Sequence, residues 1–217
     1  AAMNRDNNMN YFLTGGTGFI GRFLIPRLLD RGATIYLLVR PTSLSKVTGL
    51  RELWGADDNQ VIAVEGDLSM TKLGVKPAWI KKHAGKIDHF FHLAAIYDMK
   101  ADAESQRISN VNGTAQAIAL SKALKSGCFH QVSSIAAAGL YEGTFTEDMF
   151  EEAGALDHPY FSTKHESEGL VRAEKRMNWR IYRPGMVVGH SVTGEMDKVD
   201  GPYYFFETLK NLSSVVP

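Results

Sequence analysis

The sequence predicts an α/β fold, a doubly wound parallel sheet with helices on both faces, and three observations carry that expectation. Short apolar runs alternate with longer helical patterns from Met9 onward, which is the mark of successive βαβ units. The second run, Thr34 to Val39, is apolar at nearly every position, as a strand covered by helices on both sides requires. A glycine-rich turn directly follows the first run. The 217 residues suffice for one such domain, or one and a fraction.

Taken in order, Tyr11–Leu13 reads as the first strand, and Gly15 to Gly21 turns it into a helix ending near Arg31 and Gly32. Pro26 falls inside that helix, where a missing N–H and a steric clash cost about 3 kcal/mol unless the helix bends. Thr34–Val39 is the second strand, and Val61–Val64, Ile87–Leu93, Phe129–Val132 and Arg180–Val188 read as the third to sixth. Helices are expected over 102–126 and 158–177; Ile108, Val111, Ala115, Ile118, Ala119 and Leu120 recur at helical spacing, and Gly127 is the expected stop. Residues 41–60 and 141–158 read as neither strand nor sheet-covering helix, and the acidic run Glu142, Glu147, Asp148, Glu151, Glu152 and Asp157 reads as a solvated loop.

Composition narrows the function. Lys and Arg total 24, Asp and Glu total 24, so there is no cationic excess to neutralise the phosphates of a nucleic acid. The single cysteine, Cys128, excludes an internal disulfide and any Cys-based zinc site, and no metal site is expected. No window carries the roughly 18 apolar residues of a membrane span, and residues 1–8 read as a tag remnant or a disordered extension without a signal-peptide core. A cytoplasmic protein is the expectation.

Thr14-Gly15-Gly16-Thr17-Gly18-Phe19-Ile20-Gly21 joins a strand to a helix, the context in which such glycines bind a dinucleotide in a Rossmann-type fold. Gly15 allows the tight turn, Gly18 lets the backbone approach a pyrophosphate, and Gly21 permits close helix–strand packing. The helix N-terminus offers free N–H groups and partial positive charge. About 20 positions on, where an acidic residue would bond the ribose of NAD, the chain has Leu38, Val39 and Arg40. A guanidinium there favours the 2′-phosphate of NADP, and Lys46 and Arg51 could add to it. NADP(H) is therefore the expected cofactor.

Tyr160 and Lys164 stand four apart, on one face of a helix and about 6 Å apart along its axis. Hydride delivered to a carbonyl leaves an alkoxide that must be protonated as it forms. Tyrosine's ordinary pKa near 10 is too high for efficient exchange at neutral pH, and an adjacent ammonium narrows the gap. A serine donating to the carbonyl oxygen completes the chemistry. Ser133 and Ser134 close the fifth strand, 27 and 26 residues before Tyr160.

With the glycines spaced three and three, these motifs resemble the extended short-chain dehydrogenase/reductase family over about residues 10–190. The resemblance implies Ser134 (with Ser133 as second choice), Tyr160 and Lys164 as catalytic residues. For cofactor binding it implies Thr14, Gly15, Thr17, Gly18, Phe19, Ile20 and Gly21 of the turn, Arg40, Asp67 and Leu68 after strand three, and Ala94 and Ala95 after strand four. Lys164 and, after Arg183, the residues Pro184, Gly185 and Val187 (with Met186 between) complete that set. Asn112 matches the family's helix asparagine, and His92 is kept as a core residue. Within the family, the chain is most similar to the N-terminal reductase module of bacterial fatty acyl-CoA reductases. That implies NADPH-dependent reduction of a long-chain fatty aldehyde or acyl-CoA, with an NADP-binding domain over 9–190. Residues 191–217 would begin a substrate-binding part that looks incomplete, where the cluster Tyr203-Tyr204-Phe205-Phe206 reads as a core helix or as the wall of an apolar tunnel. A homodimer or a second reductase module are the expected partners. A sugar-nucleotide epimerase or dehydratase, and a non-catalytic NADP-sensing protein, are the alternatives.

Overall fold

A computed structural model describes residues 8–94, 102–196, 203, 205, 206, 209 and 210. Two compact units make up the chain, Ala1–Arg183 and Pro184–Pro217. The first unit holds six parallel strands: β1 (Asn10–Thr14), β2 (Thr34–Val39), β3 (Val61–Glu65), β4 (His89–His92), β5 (Cys128–Val132) and β6 (Trp179–Tyr182). They lie in the order β3-β2-β1-β4-β5-β6, the arrangement of a Rossmann fold. The sixth strand stops at Tyr182, well short of the expected Val188.

Alternate residues of each strand feed two cores, one per face. Phe12, Phe90 and Phe129 sit in adjacent register on one face and are fully buried. They pack against α3 (Pro77–His83), α5 (Gly113–Leu124) and α6 (Pro159–Arg172) through Trp79, Leu120, Leu124 and Val171. On the opposite face Leu13, Ile35 and Leu37 meet α1 (Phe19–Leu29) and α2 (Ser45–Trp54) through Ile25, Leu28 and Val47. At about 25 cal/mol per Å² of apolar surface removed from water, these two layers are what hold the sheet between the helices.

Several elements differ from the sequence expectation, each for a local reason. Helix α2 occupies part of the expected 41–60 loop, because Leu44, Val47 and Trp54 recur on one face and pack against the sheet despite Gly49. Helix α1 runs through Pro26. The expected 102–126 helix is three pieces: α4 (Ala103–Gln106), capped by the Asp102 carboxylate on Ser105 N, then a π-helical stretch Arg107–Asn112, then α5. Lys125, at φ +50°, ends α5 before Gly127 is reached. The acidic residues of 141–158 are all exposed. Among the described residues no helix is long and apolar enough to cross a membrane.

Within the second unit, Tyr203 Oη accepts a hydrogen bond from Gly189 N at 2.9 Å, and Phe205 and Phe206 are more than half exposed. Tyr204 lies outside the described residues, as do Ala95 and residues 1–7.

Candidate active site

The strand order reverses between β1 and β4, and in an open α/β sheet the crevice outside the carboxyl ends at that point is where ligands bind. Gly15 leaves β1 there at φ +68°, and a Cβ on it would lie 2.6 Å from Ala94 N. Only glycine fits both the left-handed backbone and the close approach of the chain leaving β4. At Gly21 a Cβ would come within 2.5 Å of the Gly16 backbone, so the expected helix–strand contact is in fact a contact between α1 and its own turn. Gly18 caps α1 without a side-chain bond, and no acidic residue stands in the first helical turn. The first N–H groups of this 11-residue helix thus have neither a capping side chain at Gly18 nor an acidic residue in their own turn. Thr17, Gly18 and Ile20 are exposed beside that opening, and Phe19 packs edge-on to Phe23.

Beneath the turn runs a closed chain of hydrogen bonds. Thr114 Oγ1 donates to Asn110 O at 2.7 Å, so it accepts from His92 Nε2 at 3.1 Å; His92 Nδ1 then accepts from Thr14 Oγ1 at 2.7 Å. Thr14 Oγ1 in turn accepts from Ala94 N at 3.3 Å. His92 is fully enclosed, and burial first, then the Lys164 charge, push its pKa down to about 3. It is a neutral core residue that welds the ends of β1 and β4 to α5.

Ser133 and Ser134 follow β5 with opposite surroundings. Ser133 is buried and donates to Glu168 Oε2 at 2.8 Å. Ser134 is half-buried, and its Oγ accepts from Ala136 N at 3.1 Å, which leaves its O–H free to donate. The Ile135–Ala138 turn it caps is held to α6 by His165 Nδ1 and Ala137 O, 2.9 Å apart. Helix α6 starts at His158-Pro159, where the His158 ring accepts from Tyr160 N and Pro159 takes the first position. Tyr160 is half-buried at the first turn. One turn on, Lys164 is 4% exposed, and burial pushes its pKa down to about 8. No hydrogen bond or ion pair holds the Lys164 ammonium or the Tyr160 hydroxyl among the described residues.

Glu168, fully buried two turns along α6, ties the ends of β5 and β6 to that helix. It accepts from Ser133, from Arg172 Nε at 2.8 Å and from Arg183 at 2.6 Å. Burial pushes this carboxyl up, and the bonds from Arg183, Arg172 and Ser133 together more than offset it, so it titrates below its ordinary range. Arg183 also donates to Thr146 O and Met149 O, tying the acidic loop to the end of β6. This hub was not legible in the sequence, because its members lie up to 50 residues apart.

The other expected positions fall as follows. Arg40 is exposed at the end of β2, close enough for its charge to help lower the Asp67 pKa after the two bonds from Ser69. Arg51 donates its Nε to Val61 O at 2.8 Å, so it closes α2 onto β3. Leu68 packs against the core and faces Gly113. Asn112 is exposed, and it is Asn110 that is buried, donating to Thr163 Oγ1 at 3.2 Å. The π-helical turn rotates the face and brings Asn110 inward. Pro184, Gly185 and Val187 belong to the second unit, where Met186 and Val187 are exposed.

A dinucleotide fits these residues on three counts: the tight turn that only glycine allows at Gly15, the uncapped start of α1, and a buried amine with no acceptor among the described residues. Known proteins agree. The terminal R domain from the myxalamid PKS-NRPS biosynthetic pathway superposes with a TM-score of 0.75 at 30% identity, covering 85% of this chain and 51% of that one. A linear gramicidin synthase of Brevibacillus parabrevis is 33% identical over 87% of this chain, and aldehyde reductase lnbA of Aspergillus flavus is 31% identical over 94%. The chain spans 4% and 22% of the length of those two relatives. UDP-glucuronic acid 4-epimerase from Bacillus cereus, in complex with NAD, superposes with a TM-score of 0.65 at 25% identity, covering 83% of this chain and 58% of that one. The family model described as male sterility protein matches residues 13–215, and the chain therefore belongs to that family of NAD-binding domains, within the extended short-chain dehydrogenase/reductases.

Proposed function

We propose that the chain carries an NADPH-dependent reductase activity toward a carbonyl group, with a long-chain fatty aldehyde or a fatty acyl thioester as substrate. The observation that carries this reading is the pairing on α6 of half-buried Tyr160 with buried Lys164, beside the turn of Ser134. When bound, NADPH supplies the hydride. Ser134 donates its free O–H to the substrate oxygen and orients it, an interaction that strengthens as charge develops there. Tyr160 passes its proton to that oxygen, and the Lys164 ammonium stabilises the resulting tyrosinate. Lys164 also has donors to spare for a ribose hydroxyl. The Gly15–Gly21 turn and the start of α1 receive the pyrophosphate.

Arg40 supports the choice of NADP: a guanidinium, and no carboxylate, ends β2. Arg40→Ser should raise KM for NADPH about tenfold or more while leaving that for NADH nearly unchanged. The aldehyde arm draws on the aldehyde reductase relative, and the thioester arm on the synthetase relatives.

The experiment follows NADPH consumption by the chain with a long-chain aldehyde, then with the matching acyl-CoA, with Tyr160→Phe as control. Tyr160-dependent consumption with aldehyde alone makes this an aldehyde reductase, and consumption with both makes it a two-step acyl thioester reductase. Binding of NADPH with no turnover of either substrate would sink the reading and favour an epimerase or a sensor.

A further inference from the structure

The first residues of β4 and β5 bring together three groups from distant parts of the chain. His89 and Cys128 are register partners, and His130 follows Cys128 by two, so all three side chains leave one face of the sheet. Their ligand atoms, one imidazole nitrogen from each histidine and the Cys128 sulfur, lie within 4.8 Å of one another. His89 Nδ1 and His130 Nε2 are 2.9 Å apart. Both rings are held: Tyr11 stacks on His89 at 5.1 Å and Phe91 on His130 at 4.2 Å. The far nitrogen of His130, Nδ1, lies 2.9 Å from the Tyr182 hydroxyl on β6. None of these residues has a part in the proposed reduction.

We propose that His89, Cys128 and His130 form a binding site for a zinc-class divalent ion, with Tyr182 orienting His130 from behind and a water in the fourth position. Two imidazoles and a thiolate suit a borderline-soft ion that prefers tetrahedral nitrogen and sulfur donors. The outer-shell bond to Tyr182 matches the pattern that fixes the tautomer of a metal-bound histidine. On binding, the Cys128 thiol releases its proton to solvent, and the hydrogen between the imidazoles shifts to the far nitrogen of its own ring. Both histidines stay neutral, His89 with its hydrogen on Nε2 and His130 with its hydrogen on Nδ1, donating to the Tyr182 hydroxyl. Two charged side chains bear on the cluster. Burial pushes the Cys128 thiol up, and Arg180, in register with His130, offsets part of that while repelling a cation; the Asp88 carboxylate beside His89 attracts one. This site departs from the sequence expectation of no Cys-based zinc site, which counted cysteines alone; the strand register supplies the imidazoles that spacing does not reveal. The ion would clamp β4 to β5, a stabilising and not a catalytic role.

The test titrates the reduced full chain with Zn²⁺ by calorimetry and with Co²⁺ by absorbance. One ion per chain is expected, with a thiolate-to-cobalt charge-transfer band in the near ultraviolet. Cys128→Ser should abolish the band, and it and His89→Gln should each weaken zinc binding at least tenfold. Tyr182→Phe should weaken it by about tenfold. Saturating zinc at about 100 times Kd should raise the wild-type Tm by on the order of 5 °C, and not that of His89→Gln. The wild-type cobalt band needs no variant to fold. Its absence, or zinc affinity unchanged in both Cys128→Ser and His89→Gln, overturns the site.

Discussion

Ser133 Oγ donates to the buried Glu168 carboxylate at 2.8 Å, across the gap between β5 and α6. That bond turns Ser133 into the sheet–helix contact and leaves Ser134 to face the turn of Ile135–Ala138. The two neighbours should respond oppositely to loss of the hydroxyl. Ser133→Ala removes a donor from an ionised buried acceptor and should cost about 1.5–3 kcal/mol of stability. Ser134→Ala loses only the cap on Ala136 N, about 1 kcal/mol or less, but should lower kcat by about 10²–10³. Urea unfolding and NADPH turnover on the two variants check this; a stable Ser133→Ala with lost turnover would reverse the assignment.

Lys164 binds its proton more weakly in the fold, at about 8, than its ordinary value of 10.5. The unfolded chain therefore holds more protons between those values, and stability rises with pH across that window. Below about pH 8 the buried charge destabilises the fold by roughly 3 kcal/mol. Lys164→Met should thus be inactive yet more stable than the native chain at neutral pH, with the difference vanishing as pH rises through 10.5. Chemical unfolding at neutral and high pH measures both halves, and a Lys164→Met no more stable at neutral pH contradicts the burial cost.

His92 acts in the acid range. Its folded value of about 3 lies below the ordinary 6.5, so the stability it contributes is present above pH 6.5 and is lost as pH falls toward 3. Wild-type stability should drop by several kcal/mol across that window. His92→Gln, unable to titrate, should be less stable at neutral pH but show a flatter decline; parallel declines in acid unfolding curves would exclude His92 as the cause.

Gly15→Ala should abolish cofactor binding and destabilise the fold by about 2 kcal/mol or more, since strain at positive φ adds to a collision with the Ala94 backbone. Gly49→Ala, in α2 with open space around its Cβ, should instead be neutral or stabilising by up to about 1 kcal/mol. NADPH fluorescence titration and thermal melts compare the two.

Much of this architecture is local in origin and so was readable from the chain. The parallel sheet follows from apolar runs alternating with helical patterns, the turn after β1 from glycines at fixed offsets, and the shared face of Tyr160 and Lys164 from 3.6 residues per turn. What the tertiary structure decided are relationships between distant residues. Helix α2 exists because Leu44, Val47 and Trp54 find a sheet face to cover. The π-helical turn turned Asn110 inward and Asn112 outward, a rotation that regular spacing does not anticipate. The bond that ties Ser133 to Glu168, 35 residues further on, is one that spacing does not reveal. The trio His89, Cys128 and His130 exists only through the register of β4 on β5. Periodicity fixes which way a side chain points along its own element, but packing and strand register fix what it meets, because those depend on every element folding at once.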